Sequence, residues 1–167
     1  MSLELYIIRH GLAGEHGSYA NDNERPLTEE GVRKTQQVAQ RLLELGLKFD
    51  VLLTSPLVRA RQTAEILQQA GLSKHLDESA TLAPGGSLQE WLGWLDTWRN
   101  SAKGDRIAIV GHEPGLSEWA EQLAWGSIHH CLVLKKAGVI GLSLPSHGTP
   151  LGQSELFWLT PPRFLLQ

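Results

Sequence analysis

Short runs of leucine and β-branched residues alternate along the chain with stretches in which apolar residues return every three or four positions. The strand-like runs are Leu3 to Ile8, Asp50 to Thr54, Arg106 to Val110, Val139 to Leu144 and Leu156 to Leu159. Runs of this length predict buried strands, and the stretches between them predict amphipathic helices. Strand and helix in alternation imply an α/β domain with a largely parallel sheet. The last two strands are joined by the loop PSHGTPLGQS and are expected to pair antiparallel at the sheet's edge.

Each predicted helix carries its own start and stop signals. Thr28, followed by Glu29 and Glu30, reads as an N-cap with acids in the first turn, and Val32, Thr35, Ala39 and Leu42 then share one face. Ser55-Pro56 reads as an N-cap with proline at the first helical position. Leu57, Ala60, Ala64 and Leu67 would face inward, with Gly71 as the stop. Ser87 with Glu90 forms a capping-box pattern for a helix running through Trp98. Pro114 is expected to start a fourth helix whose inner face is Leu116, Ala120 and Leu123.

Bulk properties narrow the class. With 167 residues, no internal repeat and no low-complexity tract, the expectation is a single domain over residues 1–167 with a core that needs no metal or disulfide. A net charge of −3 without a basic stripe speaks against nucleic-acid binding. The single cysteine, Cys131, excludes an internal disulfide and fits a reducing compartment. The stretch MSLELYII lacks a basic flank, and no later segment reaches bilayer length, so the expected setting is the cytoplasm, without a membrane segment.

Candidate chemistry sits where the strands end. LYIIRHG places Arg9, His10 and Gly11 at the end of the first strand, and RIAIVGHEPG places His112 at the end of another. In open parallel sheets the carboxyl edge is where ligands bind. The strand DVLLTSP reaches the same edge and opens the helix that carries Arg59 near its N-terminus, where free N–H groups and the dipole favour an anion. Arg9, His10, Arg59 and His112 are thus predicted to form one electropositive pocket suited to a phosphoryl group, with Gly11 letting backbone approach closely.

The residue types suit phosphoryl transfer. A neutral imidazole is a competent nucleophile near pH 7, and its attack on phosphorus gives a phosphohistidine intermediate. Arginines hold the equatorial oxygens with planar, permanent donors, and His112 would hold a nonbridging oxygen or steady the transition state. This scheme needs no metal and no cofactor. Taken singly, each histidine is more simply a structural residue and each arginine a surface ion-pairing residue. Together, the three strand ends are mutually consistent.

RHG at Arg9 to Gly11, RPLTEEG at Arg25 to Gly31, SPLVRARQTAEI at Ser55 to Ile66 and VGHEPG at Val110 to Gly115 resemble the histidine phosphatase superfamily, also called phosphoglycerate mutase-like. The short chain and the form of these motifs look most like its SixA branch of phosphohistidine phosphatases. The resemblance implies a three-layer α/β/α sandwich around a mixed, mostly parallel sheet. It implies His10 as the phosphorylated nucleophile, Arg9 and Arg59 on the phosphoryl oxygens, and His112 completing the pocket. The implied partner is a phosphohistidine-bearing signalling protein such as a phosphotransfer domain.

One departure from the family bears on substrate. Many relatives carry a glutamate that protonates the leaving group, and in HLDESATLAPGGS its position falls on Thr81, with Glu78 nearby. An alkoxide leaving group needs a general acid worth about 10²–10⁴-fold, whereas imidazole, with a pKa near neutrality, does not. A weak or missing acid therefore favours phosphohistidine over phosphomonoesters. The chain between Arg59 and His112 is also too short for a large lid, which leaves a shallow site that can admit a histidine from another protein.

Other features have two readings each. Arg25 is either a further substrate-binding cation or a salt-bridged loop residue. The loop from Leu12 to Glu24, rich in Gly, Asn and acids, is a potential flap whose Glu15 and Asp22 are outside candidates for a replacement acid. Trp91, Trp94 and Trp98 recur at helical spacing, which favours core packing over a docking face. HHC at His129 to Cys131 has no complementary ligand pair, which argues against a metal site. The leading expectation is a metal-independent protein phosphohistidine phosphatase. A phosphatase of sugar or nucleotide monoesters and a non-catalytic phosphate-binding module remain the alternatives, and a mutase fits worst.

Overall fold

In the computed structural model, which describes residues 2–167, one six-stranded sheet has the order β3-β2-β4-β1-β5-β6. Its strands are β1 (Ser2–Arg9), β2 (Val51–Thr54), β3 (Leu76–Glu78), β4 (Arg106–Gly111), β5 (Val139–Pro145) and β6 (Glu155–Thr160). The helices are α1 (Glu29–Glu44), α2 (Val58–Gln69), α3 (Leu88–Asn100), α4 (Gly115–Trp125) and the short α5 (Pro162–Leu165). Strands β1 to β4 are mutually parallel, whereas β5 runs antiparallel to β1 and to β6. The sheet is therefore mixed and mostly parallel, with the antiparallel pair at one side as expected.

Alternation along the strands builds two cores. Leu5 and Ile7 of β1 and Ile107 and Ile109 of β4 face α3 and α4, while Tyr6, Ile8, Ala108 and Val110 face α1 and α2. Helices on both faces make a three-layer α/β/α sandwich. Trp91 is wholly buried, Trp98 nearly so, and both lie in the α3/α4 core with Trp94 packed against it. Fully burying an aliphatic or aromatic side chain of this kind is worth about 1.5–3 kcal/mol. Packing thus accounts for the tryptophan stripe.

The helix caps show where the sequence pattern was sufficient and where it was not. Thr28 Oγ1 accepts from the Gly31 N–H at 2.9 Å, and Ser87 Oγ from the Glu90 N–H at 3.2 Å. Helix α2, however, begins at Val58 with Leu57 as its N-cap, two residues after the expected proline start. The reason is local: Ser55 Oγ is bound to His112 and to the Leu57 N–H, which holds the chain extended through Leu57. The three-residue β3 was not foreseen, because LDE carries no apolar alternation. Among the described residues no helix is long and apolar enough to cross a membrane.

Candidate active site

Strand register brings the candidate residues together. Arg9 of β1 stands opposite Gly111 of β4, and Thr54 of β2 opposite Val110. The next residues, His10, Ser55 and His112, therefore leave the sheet side by side at its carboxyl edge. The His10 N–H donates to the Gly111 carbonyl at 3.1 Å and the Ser55 N–H to that of Val110 at 3.0 Å. The rings of His10 and His112 lie 5.2 Å apart, centroid to centroid, and each residue is only 6% exposed.

The state of His10 follows from its surroundings. Its Nδ1 lies 2.7 Å from the Gly11 carbonyl, which can only accept, so Nδ1 carries the proton and Nε2 keeps a free lone pair. Burial pushes the pKa of His10 down to about 3, and the charges of His112, Arg59 and Arg9 push the same way. Burial likewise pushes His112 down to about 4, helped by Arg59 and Arg25. Both imidazoles are neutral at neutral pH.

A measurable linkage follows. The unfolded chain takes up a proton on His10 below its ordinary pKa near 6.5, whereas the folded chain refuses it until about 3. Stability from this residue is therefore complete above the ordinary value and is lost as pH falls toward the folded one. Between about pH 7 and pH 5 the wild-type chain is expected to lose about 2 kcal/mol more stability than His10→Gln. Urea denaturation at the two pH values checks this; equal losses would contradict it.

Arg59, 5% exposed on the first turn of α2, and Arg9 bring cationic groups to the same edge. Desolvation lowers the pKa of both guanidiniums, yet they remain charged. Four buried side-chain nitrogens lack a hydrogen-bond partner among the described residues, and three of them are Arg9 Nε, Arg59 Nε and His112 Nδ1. Arg9 Nε and Arg59 Nε are unpaired buried donors, which cost about 1–3 kcal/mol each. Their concentration here marks a site built to receive an acceptor-rich group.

The loop from Leu12 to Glu24 reaches this site. Asp22 presents its carbonyl to Arg59 Nη1 at 2.9 Å and its carboxylate to Arg59 Nη2 at 3.2 Å. The same carboxylate takes Arg25 Nε at 2.8 Å, and Arg25 Nη1 donates to the Gly14 carbonyl. Arg25 is thus a salt-bridged loop residue in this arrangement, at the border of the pocket. The hydrogen bond from Arg25, reinforced by the charge of Arg59, holds the Asp22 carboxyl below the usual range. It has no proton to give at neutral pH.

Several supporting residues escaped the sequence reading. Ser55 Oγ ties His112 Nε2 at 2.8 Å, and Thr63 Oγ1 accepts from the Gly11 N–H at 3.0 Å. A Cβ on Gly11 would collide with Thr35, and one on Gly31 with the Leu12 carbonyl, which is why α1 can pack so closely under the histidine turn. Arg9 Nη1 donates to the Leu134 carbonyl at 3.0 Å, and the Ala137 N–H bonds the carbonyls of Arg9 and His10. Lys136 lies near enough that burial, Arg9 and Arg25 together lower its pKa. Leu134, Lys136 and Ala137 belong to none of the quoted motifs.

The remaining candidates lie elsewhere. Glu78 is exposed and pairs with Arg61 at 3.5 Å, Glu15 is exposed on the loop, and Thr81 lines the same groove as His112. The backbone N–H groups of His129, His130 and Cys131 all point at the buried Glu121 carboxylate. That stretch is a carboxylate-anchored loop, and the described residues hold no cluster of three or more potential metal ligands.

Comparison with known proteins agrees with this geometry. Residues 5–81 match the model of the histidine phosphatase superfamily (branch 1). An uncharacterized protein of Picosynechococcus sp. is 50% identical, over 98% of this chain and 99% of its own. A probable phosphoglycerate mutase GpmB of Cronobacter sakazakii is 32% identical, over 90% of this chain and 72% of its own. Among solved structures, the protein histidine phosphatase SixA complexed with tungstate superposes with a TM-score of 0.85 at 22% identity, over 98% of this chain and 99% of that one. With its SixA-type fold and paired strand-end histidines, the chain belongs to the histidine phosphatase superfamily and is a phosphatase of the histidine-nucleophile class.

Proposed function

We propose that the protein removes phosphate from phosphohistidine on another protein, through a covalent intermediate on His10. The observation that carries this reading is the tautomer of His10: Nδ1–H is held by the Gly11 carbonyl, which leaves Nε2 unprotonated beside two arginines. Nε2 attacks phosphorus as the bond from phosphorus to the substrate imidazole breaks, and the departing imidazole nitrogen takes a proton from water. A second water then attacks phospho-His10, releasing inorganic phosphate and restoring Nε2. Arg9 and Arg59 hold the equatorial oxygens in both steps, and His112, anchored by Ser55, closes one side of the pocket.

Substrate class is argued from proton supply. Of the acids that the sequence pattern singles out, Asp22 is held ionised by Arg25 and Arg59 and Glu78 is engaged by Arg61, while Thr81 cannot donate as a carboxylic acid would; Glu113, next to His112, is bound to Ser117. Such a site suits a leaving group that departs without strong acid help, and imidazole does so far better than an alkoxide. The SixA likeness points the same way, since that relative is a protein histidine phosphatase and was found with tungstate, a tetrahedral oxyanion.

The test compares kcat/KM on a phosphohistidine-containing phosphotransfer domain with that on sugar and nucleotide phosphates, after chelator treatment. The expected preference for phosphohistidine is about 10²-fold or more. A preference for the monoesters, lost on Glu78→Gln, would establish the small-molecule alternative. No turnover of any activated phosphate would leave only a binding module.

A further inference from the structure

A groove of about 370 Å³ runs outward from His112, between the loop Thr81–Gly86 and the N-terminal half of α4. That volume lies in the range of small-molecule and side-chain binding sites, about 300–1,000 Å³. His112 forms its inner end, where the unpartnered Nδ1 and the tie to Ser55 place it at the junction with the phosphoryl pocket. Asp22 is bonded to both Arg25 and Arg59 at the phosphoryl pocket, whereas the groove opens beside His112.

The charges on the two borders differ in sign. Arg9, Arg25, Arg59 and Lys136 crowd the phosphoryl side: burial lowers the pKa of Lys136, and the charges of Arg9 and Arg25 push the same way. The groove has no lysine or arginine in its lining; its charged groups are Glu113 and Glu118. Glu113 is spoken for, since its carboxylate accepts from the Ser117 N–H at 2.8 Å and from the Ser117 hydroxyl. Glu118 is half-buried in the groove wall and its carboxylate has neither a hydrogen bond nor an ion pair among the described residues. Trp119 supplies an apolar wall beside it.

We infer that this groove receives the segment bearing the phosphohistidine and selects one with basic rather than acidic flanking residues, with Glu118 as the specificity-determining group. The inference rests on the proposed phosphohistidine reading for its substrate and on the groove for its charge rule. Pro84 and Gly85 leave the groove open to solvent, so a polypeptide can lie across it. An acidic segment would bring like charge against Glu118, which has no lysine or arginine beside it in the groove lining. A basic one would meet an unpaired carboxylate.

Two synthetic peptides test this, identical except that the phosphohistidine is flanked by lysines in one and by glutamates in the other. The wild-type protein is expected to favour the lysine peptide in kcat/KM by about two- to five-fold, with the preference shrinking as salt is added. Glu118→Gln is expected to bring the ratio near one, and Glu118→Lys to invert it. A wild-type ratio of one, or a ratio that Glu118→Gln does not move, overturns the inference while leaving the phosphohistidine reading intact. Hydrolysis of neither peptide, with phosphomonoesters turned over, defeats the phosphohistidine reading instead. The charge rule is then judged on phosphoethanolamine against 3-phosphoglycerate, where a preference for the cationic compound that is lost in Glu118→Gln upholds it and indifference overturns it.

Discussion

His10→Gln is expected to lower kcat by about 10⁴-fold or more, with no phosphorylated protein detectable at any time. Of the two imidazoles, His10 has the ring nitrogen that the Gly11 carbonyl leaves deprotonated, whereas His112 is fixed through its own Nε2 to Ser55, and Cys131 belongs to the loop anchored by Glu121. Because the wild-type imidazole is neutral and the pocket already tolerates an uncharged ring, glutamine introduces no new charge into the core. Circular dichroism of the variant should match the wild type, so the loss is read as chemistry. Steady-state rates on a phosphohistidine protein measure it, and a residual rate within about ten-fold of the wild type would contradict a nucleophilic role.

Arg59→Lys is the second large effect, a fall in kcat/KM of about 10²–10³-fold. The guanidinium does two things that an ammonium cannot do together. It is planar, which allows two parallel hydrogen bonds to phosphoryl oxygens, and it stays charged after burial that has already lowered its pKa. Its engagement by both the carbonyl and the carboxylate of Asp22 shows the fork geometry in use, with loop oxygens holding two of its nitrogens. A lysine would offer one point charge and lose half of that fork. Retention of more than a tenth of the wild-type kcat/KM would mean that Arg59 mainly anchors the loop.

The sequence made much of this arrangement legible, and for identifiable reasons. The three strands that bear the site are apolar runs that end abruptly in Arg-His-Gly, Ser-Pro or Gly-His, so their positions and their common edge can be read directly. The placement of Arg9, His10, Arg59 and His112 at this edge is legible because each is tied to a strand end or to the first turn of a helix. Ser55 was also visible, but as a helix cap, because a serine before proline has that meaning in most chains. Its actual partner, His112, is 57 residues away, and only the parallel register of β2 and β4 brings the two together.

What stayed hidden depends on contacts without sequence periodicity. The Asp22 clasp on Arg59 spans 37 residues and depends on how an irregular loop folds back over α2. The brace from Leu134 and Ala137 to Arg9 uses backbone groups, which are the same in every residue. The short β3 lacks any alternation and forms because its chain is delivered beside β2. The sequence allows Arg25 two readings, and its ion pair with Asp22 shows how one residue can serve the loop while sitting at the border of the pocket.

The most direct test is to mix the protein with a phosphohistidine protein labelled with 32P, quench within the first turnover, and map the label by proteolysis and mass spectrometry. The account predicts an acid-labile, alkali-stable phosphoryl group on the peptide that contains His10, attached at Nε2, the nitrogen left free by the Gly11 carbonyl. Label on another residue, or a full burst of free phosphate with His10 never modified, would contradict it.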